Sequence, residues 1–315
     1  MRTEVCLGLD TSNYTTSAAV FDGTEGINAG RLLEVPQGAL GLRQSDALFQ
    51  HVKRLPELFS RLREADCLGN IRAVAASTRP RAVEGSYMPC FLAGEGQGRA
   101  LADVLGVPFF AVSHQQGHIA AAAWSAGRMD LLDRPFLAWH LSGGTTELLK
   151  VTPDGVNVRA EKIGGTSDIS AGQLIDRTGV LLGLAFPAGK ALDGLAASSQ
   201  SRDKFTVKLN DLTFSLSGME NKAAAMAERG EEPADIARFV LNTVSDTVRR
   251  CTAAALEQYP GVPVLCSGGV ASNRRLREVM GSAFCAVFAE PCYSTDNAMG
   301  VAILASRLLE AEGRK

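Results

Sequence analysis

Short apolar runs that end in small polar turns alternate with stretches where apolar residues return every three or four positions. Val5 to Asp10 is an apolar run stopping at an acid, and Thr11-Ser12-Asn13 is a turn cluster. Thr15 to Phe21 is a second run of small and β-branched residues, closed by Asp22-Gly23. That order predicts a β-hairpin. Leu48, Val52, Leu55 and Leu58-Phe59 recur near helical period, which predicts a helix over about 45–63. A strand follows at Ala73 to Ser77, then an irregular stretch from Arg79 to Pro89. Glycines at 94, 96 and 98 lead into a helix ending near Gly106, and Phe109 to Val112 reads as a strand. Ser113 is placed to cap the helix after it.

After Gly127 the pattern restarts, with a strand at Phe136 to Leu141, a Ser142-Gly143-Gly144 turn and a return strand from Thr146 to Val151. Repetition of the strand, small polar turn, strand order suggests an internal duplication. Helices are expected at about 168–183, 189–199, 217–229 and 233–258. Then come a strand at Val264 to Cys266, a helix opening near Ser272, a strand at Ala286 to Ala289 and a last helix from Asp296 to about Glu312. The alternation predicts an α/β protein. Two lobes are expected, residues 1–126 carrying a histidine pair and residues 127–315, with the last helix (about 296–312) packing back toward the first lobe.

Hydrophobic residues make up 46% and charged residues 21%, enough apolar matter for a real core. The net charge of −2 excludes a basic field over the whole surface, so any RNA contact needs a local patch or a partner. The seven cysteines are odd in number and form no C-x-x-C pair, which points to reduced thiols and a cytoplasmic protein. No leader pattern and no apolar run of ~18 residues is present, so no membrane association is expected.

Five motifs carry candidate chemistry. His114 and His118 stand four apart on an expected helix, so both imidazoles share a face and can grip one transition metal; otherwise they are two surface histidines. A zinc protease would place Glu after the first histidine; Gln115 stands there and cannot take a proton. Adjacent glycines at Gly143-Gly144 allow close approach of a phosphate to backbone N–H groups, or simply make a tight turn. Ser267-Gly268-Gly269 before a helix suits a nucleotide, or is an ordinary βα turn with Ser272 as cap. Asp176, among Leu174, Ile175, Val180 and Leu181, either pairs with a neighbour such as Arg177 or receives a ligand hydroxyl. Thr295 and Asp296 suit the start of the last helix, and Asp296 is also a possible metal ligand from a distant part of the chain.

Together these segments resemble the TsaD family (also called YgjD or Gcp), the threonylcarbamoyl transferases of tRNA modification formerly described as glycoproteases. The resemblance rests on His114-x-x-Gly117-His118, Ser142-Gly143-Gly144-x-Thr146 and Asp176-x-Thr178 with Leu182-Gly183-Leu184 and Pro187. It also rests on Ser215-x-Ser217-Gly218, Gly268-Gly269-Val270-x-x-Asn273 and Thr295-Asp296-Asn297. It implies the actin-like ATPase (ASKHA) fold, two ribonuclease-H-like lobes around a nucleotide cleft. It implies one divalent metal, iron or zinc, at His114, His118 and Asp296. It implies an adenine nucleotide or acyl-adenylate at His140, Leu141, Ser142, Gly143, Gly144, Asp176, Gly189 and Asn273. The implied reaction moves threonylcarbamoyl from threonylcarbamoyl-AMP to adenine 37 of tRNA, with partner proteins of a threonylcarbamoylation complex. The alternatives are a paralogue doing another carbamoyl or acyl transfer at the same site, or a non-catalytic nucleotide-binding subunit.

Three departures stand out. The family's two acids after the first turn are replaced by Tyr14 and Thr15, the histidine after Ser-Gly-Gly is Thr145, and a Gly-Pro-Gly turn is replaced by Thr78 to Gly85 with Arg79 and Arg81. Lacking those acids, the chain alone is expected to transfer slowly, with Glu84 or Asp10 as substitute bases.

Overall fold

The structure is a computed structural model that describes residues 3–35 and 42–314. It divides into two compact units, Met1–Arg134 with Thr152–Ala160 and Asp296–Lys315, and Pro135–Val151 with Glu161–Thr295.

In the first unit the predicted hairpin is β1 (Glu4–Thr11) and β2 (Thr15–Phe21), antiparallel with Asp10 opposite Ser17. A third strand, β3 (Gly26–Leu32), extends it; its half-exposed residues carry no clean alternation, which hides it from periodicity. Helix α1 (Gln44–Glu64) buries Ala47, His51, Arg54, Leu55, Leu58 and Leu62. Val52, expected on that face, is 48% exposed, because His51 turns inward one position earlier. Strand β4 (Asn70–Arg79) lies parallel to β1, and β5 (Phe109–Ser113) parallel to β4. Between them α2 (Phe91–Leu105) already contains the glycines expected ahead of it. A Cβ on Gly94 would come 3.0 Å from the Thr11 hydroxyl, and one on Gly98 would come 2.8 Å from the Phe109 ring. These glycines let α2 lie close on the sheet, which outweighs their poor helix propensity. Helix α3 (His114–Ser125) completes this run, and the strand order is β3-β2-β1-β4-β5. Val5, Leu7, Leu9, Val74 and Ala76 build the core with Leu55, Leu58 and Leu62.

The second unit opens with β6 (Phe136–Leu141), most of β7 (Thr146–Asp154) and the latter part of β8 (Asn157–Thr166), residues Thr152–Ala160 counting with the first unit; β8 is absent from the sequence-based expectation. Helices α4 (Ala171–Leu181) and α5 (Gly189–Ala196) follow. Short strands β9 (Leu209–Asn210) and β10 (Thr213–Phe214) precede α6 (Ser217–Glu228) and α7 (Pro233–Gln258). Then come β11 (Val264–Ser267), α8 (Arg274–Phe284) and β12 (Val287–Phe288). The sheet runs β12-β11-β6-β7-β8-β10-β9, with β11 parallel to both β6 and β12. Its β8-β7-β6-β11-β12 portion repeats the order of the first sheet, so the duplication expected from the turns is a duplication of topology. Trp139, fully buried, donates its indole N–H to Thr252 Oγ1 at 2.8 Å in the core under α7. The last helix, α9 (Met299–Gly313), belongs to the first unit, where it packs on β1, β4 and α3.

Candidate metal centre and nucleotide cleft

Strand β5 runs straight into α3 through a reciprocal cap. Gln116 N donates to Ser113 Oγ at 3.2 Å, and Ser113 N donates to Gln116 Oε1 at 2.9 Å. Starting the helix at His114 places His114 and His118 on one face, ring centroids 4.3 Å apart. The glycine between them has a packing reason. Gly117 faces Gly300 on α9, where a Cβ on Gly300 would fall 1.7 Å from the Gly117 carbonyl oxygen. No side chain fits there, and the two backbones touch.

That contact brings the segment ahead of α9 under the histidines. Thr295 and Asp296 do not cap the helix, as the sequence suggested: α9 begins at Met299, and Asn297 Oδ1 accepts from its N–H at 3.0 Å. Asp296 is thus left to project its carboxylate. Its Oδ1 lies 3.1 Å from His118 Nε2 and 3.6 Å from His114 Nε2. One atom from each of the three residues lies within 4.8 Å of the others, and this is the one such group among the described residues.

Two further residues, not read from the sequence as part of this centre, hold it. Asp10, buried at the end of β1, has Oδ2 2.7 Å from His114 Nδ1, while its Oδ1 accepts from Ser12 N at 3.0 Å. Ser12 Oγ donates to Asp296 Oδ2 at 3.2 Å. The signal was a buried strand ending in an acid beside a Thr-Ser turn. Asp10 is committed to His114, which leaves it poorly placed as the substitute base. Burial alone would lower the His114 pKa, but the Asp10 charge, its hydrogen bond and Asp296 outweigh it and raise the pKa to about 9. Burial likewise opposes the Asp296 charge, yet the His118 hydrogen bond and the two imidazoles push its pKa down. Two carboxylates around two imidazoles make a site that demands positive charge. With Nδ1 of His114 held by Asp10, its Nε2 faces Asp296, the arrangement that orients an imidazole toward a metal. The donor set fits a divalent ion, and two imidazoles with one carboxylate suit either zinc or iron.

In the second unit, Ser142 lies at the end of β6 and its Oγ accepts from Thr145 N at 3.0 Å. Among the described residues, neither the Gly143 nor the Gly144 amide donates a hydrogen bond, and a Cβ on either would meet nothing within 4 Å. Both face open space. Asp176 does not pair with Arg177, which reaches Glu220 at 2.7 Å instead. Asp176 Oδ1 accepts from Ala188 N at 2.8 Å, and among the described residues no partner takes its other oxygen. Gly143, Asp176, Arg177 and Phe186 line a cleft of about 740 Å³ with Glu220 and Ala223 of α6. Gly189 starts α5, one residue beyond the amide held by Asp176. His140 is half-buried on β6, opposite Glu147 and Ser267. The Leu141 side chain is buried in the core, so only its backbone can meet a ligand.

Asn273 replaces Ser272 as the cap of α8, because residues 269–272 form a separate 3-10 turn. Its Oδ1 accepts from Leu276 N at 3.0 Å and its Nδ2 donates to Asp193 Oδ1 at 2.8 Å. Gly268 ahead of it has φ +94°, and a Cβ there would lie 2.2 Å from the Leu141 carbonyl oxygen. Only glycine fits that crossing.

Residues 41–303 match the profile of the TsaD family, described as tRNA N6-adenosine threonylcarbamoyltransferase. The chain belongs to that family. A tRNA N6-adenosine threonylcarbamoyltransferase of Thermus thermophilus is 33% identical over 314 residues, covering 98% of this chain and 93% of the relative. Among solved structures, full-length HypF in a phosphate- and nucleotide-bound form aligns with TM-score 0.62 at 15% identity, over 98% of this chain and 47% of HypF. A glucokinase of the ROK family from Streptomyces griseus aligns with TM-score 0.51 at 12% identity, over 96% and 99%. The fold is that of the actin-like ATPases. Against the TsaD pattern, the first-turn replacements differ in setting: Tyr14 is 46% exposed, while Thr15 is buried.

Proposed function

We propose that this chain transfers a threonylcarbamoyl group from threonylcarbamoyl-AMP to N6 of adenine 37 in tRNA, with a divalent metal at His114, His118 and Asp296. The observation that carries the reading is the convergence of those three side chains beneath a buried Asp10 that orients one imidazole. In the reaction, N6 of adenine attacks the carbamoyl carbon, a C–N bond forms, the C–O bond to the AMP phosphate breaks, and N6 gives up one proton. The metal, when bound, supplies Lewis acidity toward the carbamoyl-adenylate. Asp10 fixes the His114 ring, and Ser12 fixes the Asp296 carboxylate.

The adenylate part of the donor suits the cleft of the second unit. Among the described residues, the Gly143 and Gly144 amides have no partner of their own and can donate to phosphate oxygens. The second Asp176 oxygen can accept from a ribose hydroxyl, and Gly189 and His140 complete the proposed contacts. Asn273 has both side-chain ends engaged, so its part is to hold Asp193 and the start of α8. Partner proteins and a cytoplasmic setting follow from the proposed tRNA chemistry. Among the described residues, no helix is long and apolar enough to cross a membrane.

The test is a transfer assay on tRNA with threonylcarbamoyl-AMP, using chain purified without chelators together with the proteins that co-purify with it. Metal near one equivalent and product formation are expected, both lost in His118→Ala, because two ligands rarely retain a divalent ion. Product formation by metal-free protein would overturn the metal assignment; absence of product with full metal would overturn the reaction.

A further inference from the structure

Residues 199–208 of the second unit form a strap that lies along α7. Ser199 Oγ donates to Asp235 in the first turn of α7. Asn242 Nδ2 donates to the carbonyls of Ser201 and Asp203 at 3.2 and 3.1 Å. Phe205 N donates to Thr243 Oγ1 at 2.9 Å, and Arg250 Nη1 donates to the Val207 carbonyl at 2.6 Å. The contacts advance together from Asp235 to Arg250, about 22 Å along the helix at ~1.5 Å per residue.

This strip concentrates positive charge in a chain whose net charge is −2. Arg202, Lys204, Lys208, Lys222, Arg249 and Arg250 stand on it, against Asp203, Asp235 and Asp246. Asp246 meets both Lys204 at 2.7 Å and Arg249 at 3.1 Å, so it cannot neutralise the two. Among the described residues, Arg202 and Lys208 make no ion pair, and Arg250 bonds only to a carbonyl. Amid these cations the Phe205 ring is 40% exposed, with Lys222 Nζ 4.2 Å from its centroid.

We propose that this strip binds the phosphate backbone of the tRNA acceptor, with Phe205 as a stacking face for a base. The proposal rests on the reading of tRNA as acceptor given above. An acidic protein would also satisfy the charges. Among the described residues, Arg202, Lys208, Lys222 and Arg250 have no acid partner, and such cations beside an exposed ring are what a polynucleotide needs: charge for its phosphates and a flat apolar face for a base.

The test measures equilibrium binding of tRNA to the full chain over a range of salt concentrations. The double variant Arg202→Ala with Lys208→Ala should bind about tenfold more weakly and flatten the log-affinity against log-salt slope by about 1.5. The charge-preserving pair Arg202→Lys with Lys208→Arg should behave as wild type. Phe205→Ala should weaken binding with the slope unchanged. In the transfer assay the alanine pair should raise KM for tRNA and leave KM for threonylcarbamoyl-AMP alone. If the alanine pair binds tRNA with wild-type affinity and slope, the strip is not the tRNA surface. Loss of a co-purifying protein in that case would assign it to an acidic partner. Failure of wild type to bind tRNA even at low salt would instead remove the acceptor reading, and this proposal with it.

Discussion

At the scale of single residues, the three converging side chains are held by groups behind them. Asp10 sits at the end of β1, its carboxylate 2.7 Å from His114 Nδ1. Asp10→Asn keeps the shape but removes the charge that sets the imidazole, and should weaken metal binding about 10- to 100-fold. Zinc titration by calorimetry checks it; unchanged affinity would reduce Asp10 to packing. His51 behaves differently. It is fully buried on α1, beside Thr16 Oγ1 at 2.8 Å. Burial, aided by Arg54 and opposed by Ser12 and Asp10, pushes its pKa down to about 4 from an ordinary 6.5. As pH falls through that window the unfolded chain takes up a proton that the folded chain refuses. His51 therefore costs stability progressively below about pH 6.5, reaching roughly 3 kcal/mol near pH 4. Chemical denaturation of wild type and His51→Gln across this range should give curves that converge as pH falls; parallel curves would refute the assignment.

At the scale of elements, small residues decide where helices can go. Gly117 and Gly300 let α3 and α9 touch backbone to backbone, and Gly94 and Gly98 do the like for α2 on its sheet. Gly300→Ala would force α9 away from α3 and carry Asp296 off with it. A loss of about 1–3 kcal/mol is expected, the usual range for overpacking, together with loss of bound metal. Thermal melts and elemental analysis on the same sample separate the two effects. Retention of stoichiometric metal would show that Asp296 does not depend on this crossing. The helix period was legible in α1 and α7. On α1 it found Leu55 and Leu58 but took Val52 for His51, because a buried histidine does not announce itself as apolar. Strands β3 and β8 were illegible for a related reason: their half-exposed residues mix polar and apolar types without alternation.

At the scale of the whole molecule, a metal that binds only the folded chain must stabilise it. At a hundredfold excess over Kd, zinc or ferrous iron should add about 2.7 kcal/mol, seen as a higher melting temperature and absent in His118→Ala. The replaced acids belong to this scale as well, since they bear on the complete reaction. Tyr14→Asp with Thr15→Glu should raise the transfer rate, given that a positioned base typically contributes roughly 10²–10⁴. If wild type already turns over as fast as the double variant, another group takes the proton. The sequence by itself determined the alternation of strands and helices, the duplicated turn, the histidine pair on one helix face and the motif order that marks the TsaD family. Those features are local, or are ordered along the chain, so spacing alone reveals them. Only the tertiary structure decided that Asp296 stands ahead of its helix rather than capping it, that Asp10 holds His114, and that cations scattered from Arg202 to Arg250 form one strip. Each of these joins residues far apart in sequence, and their proximity is fixed by backbone packing that no periodicity encodes.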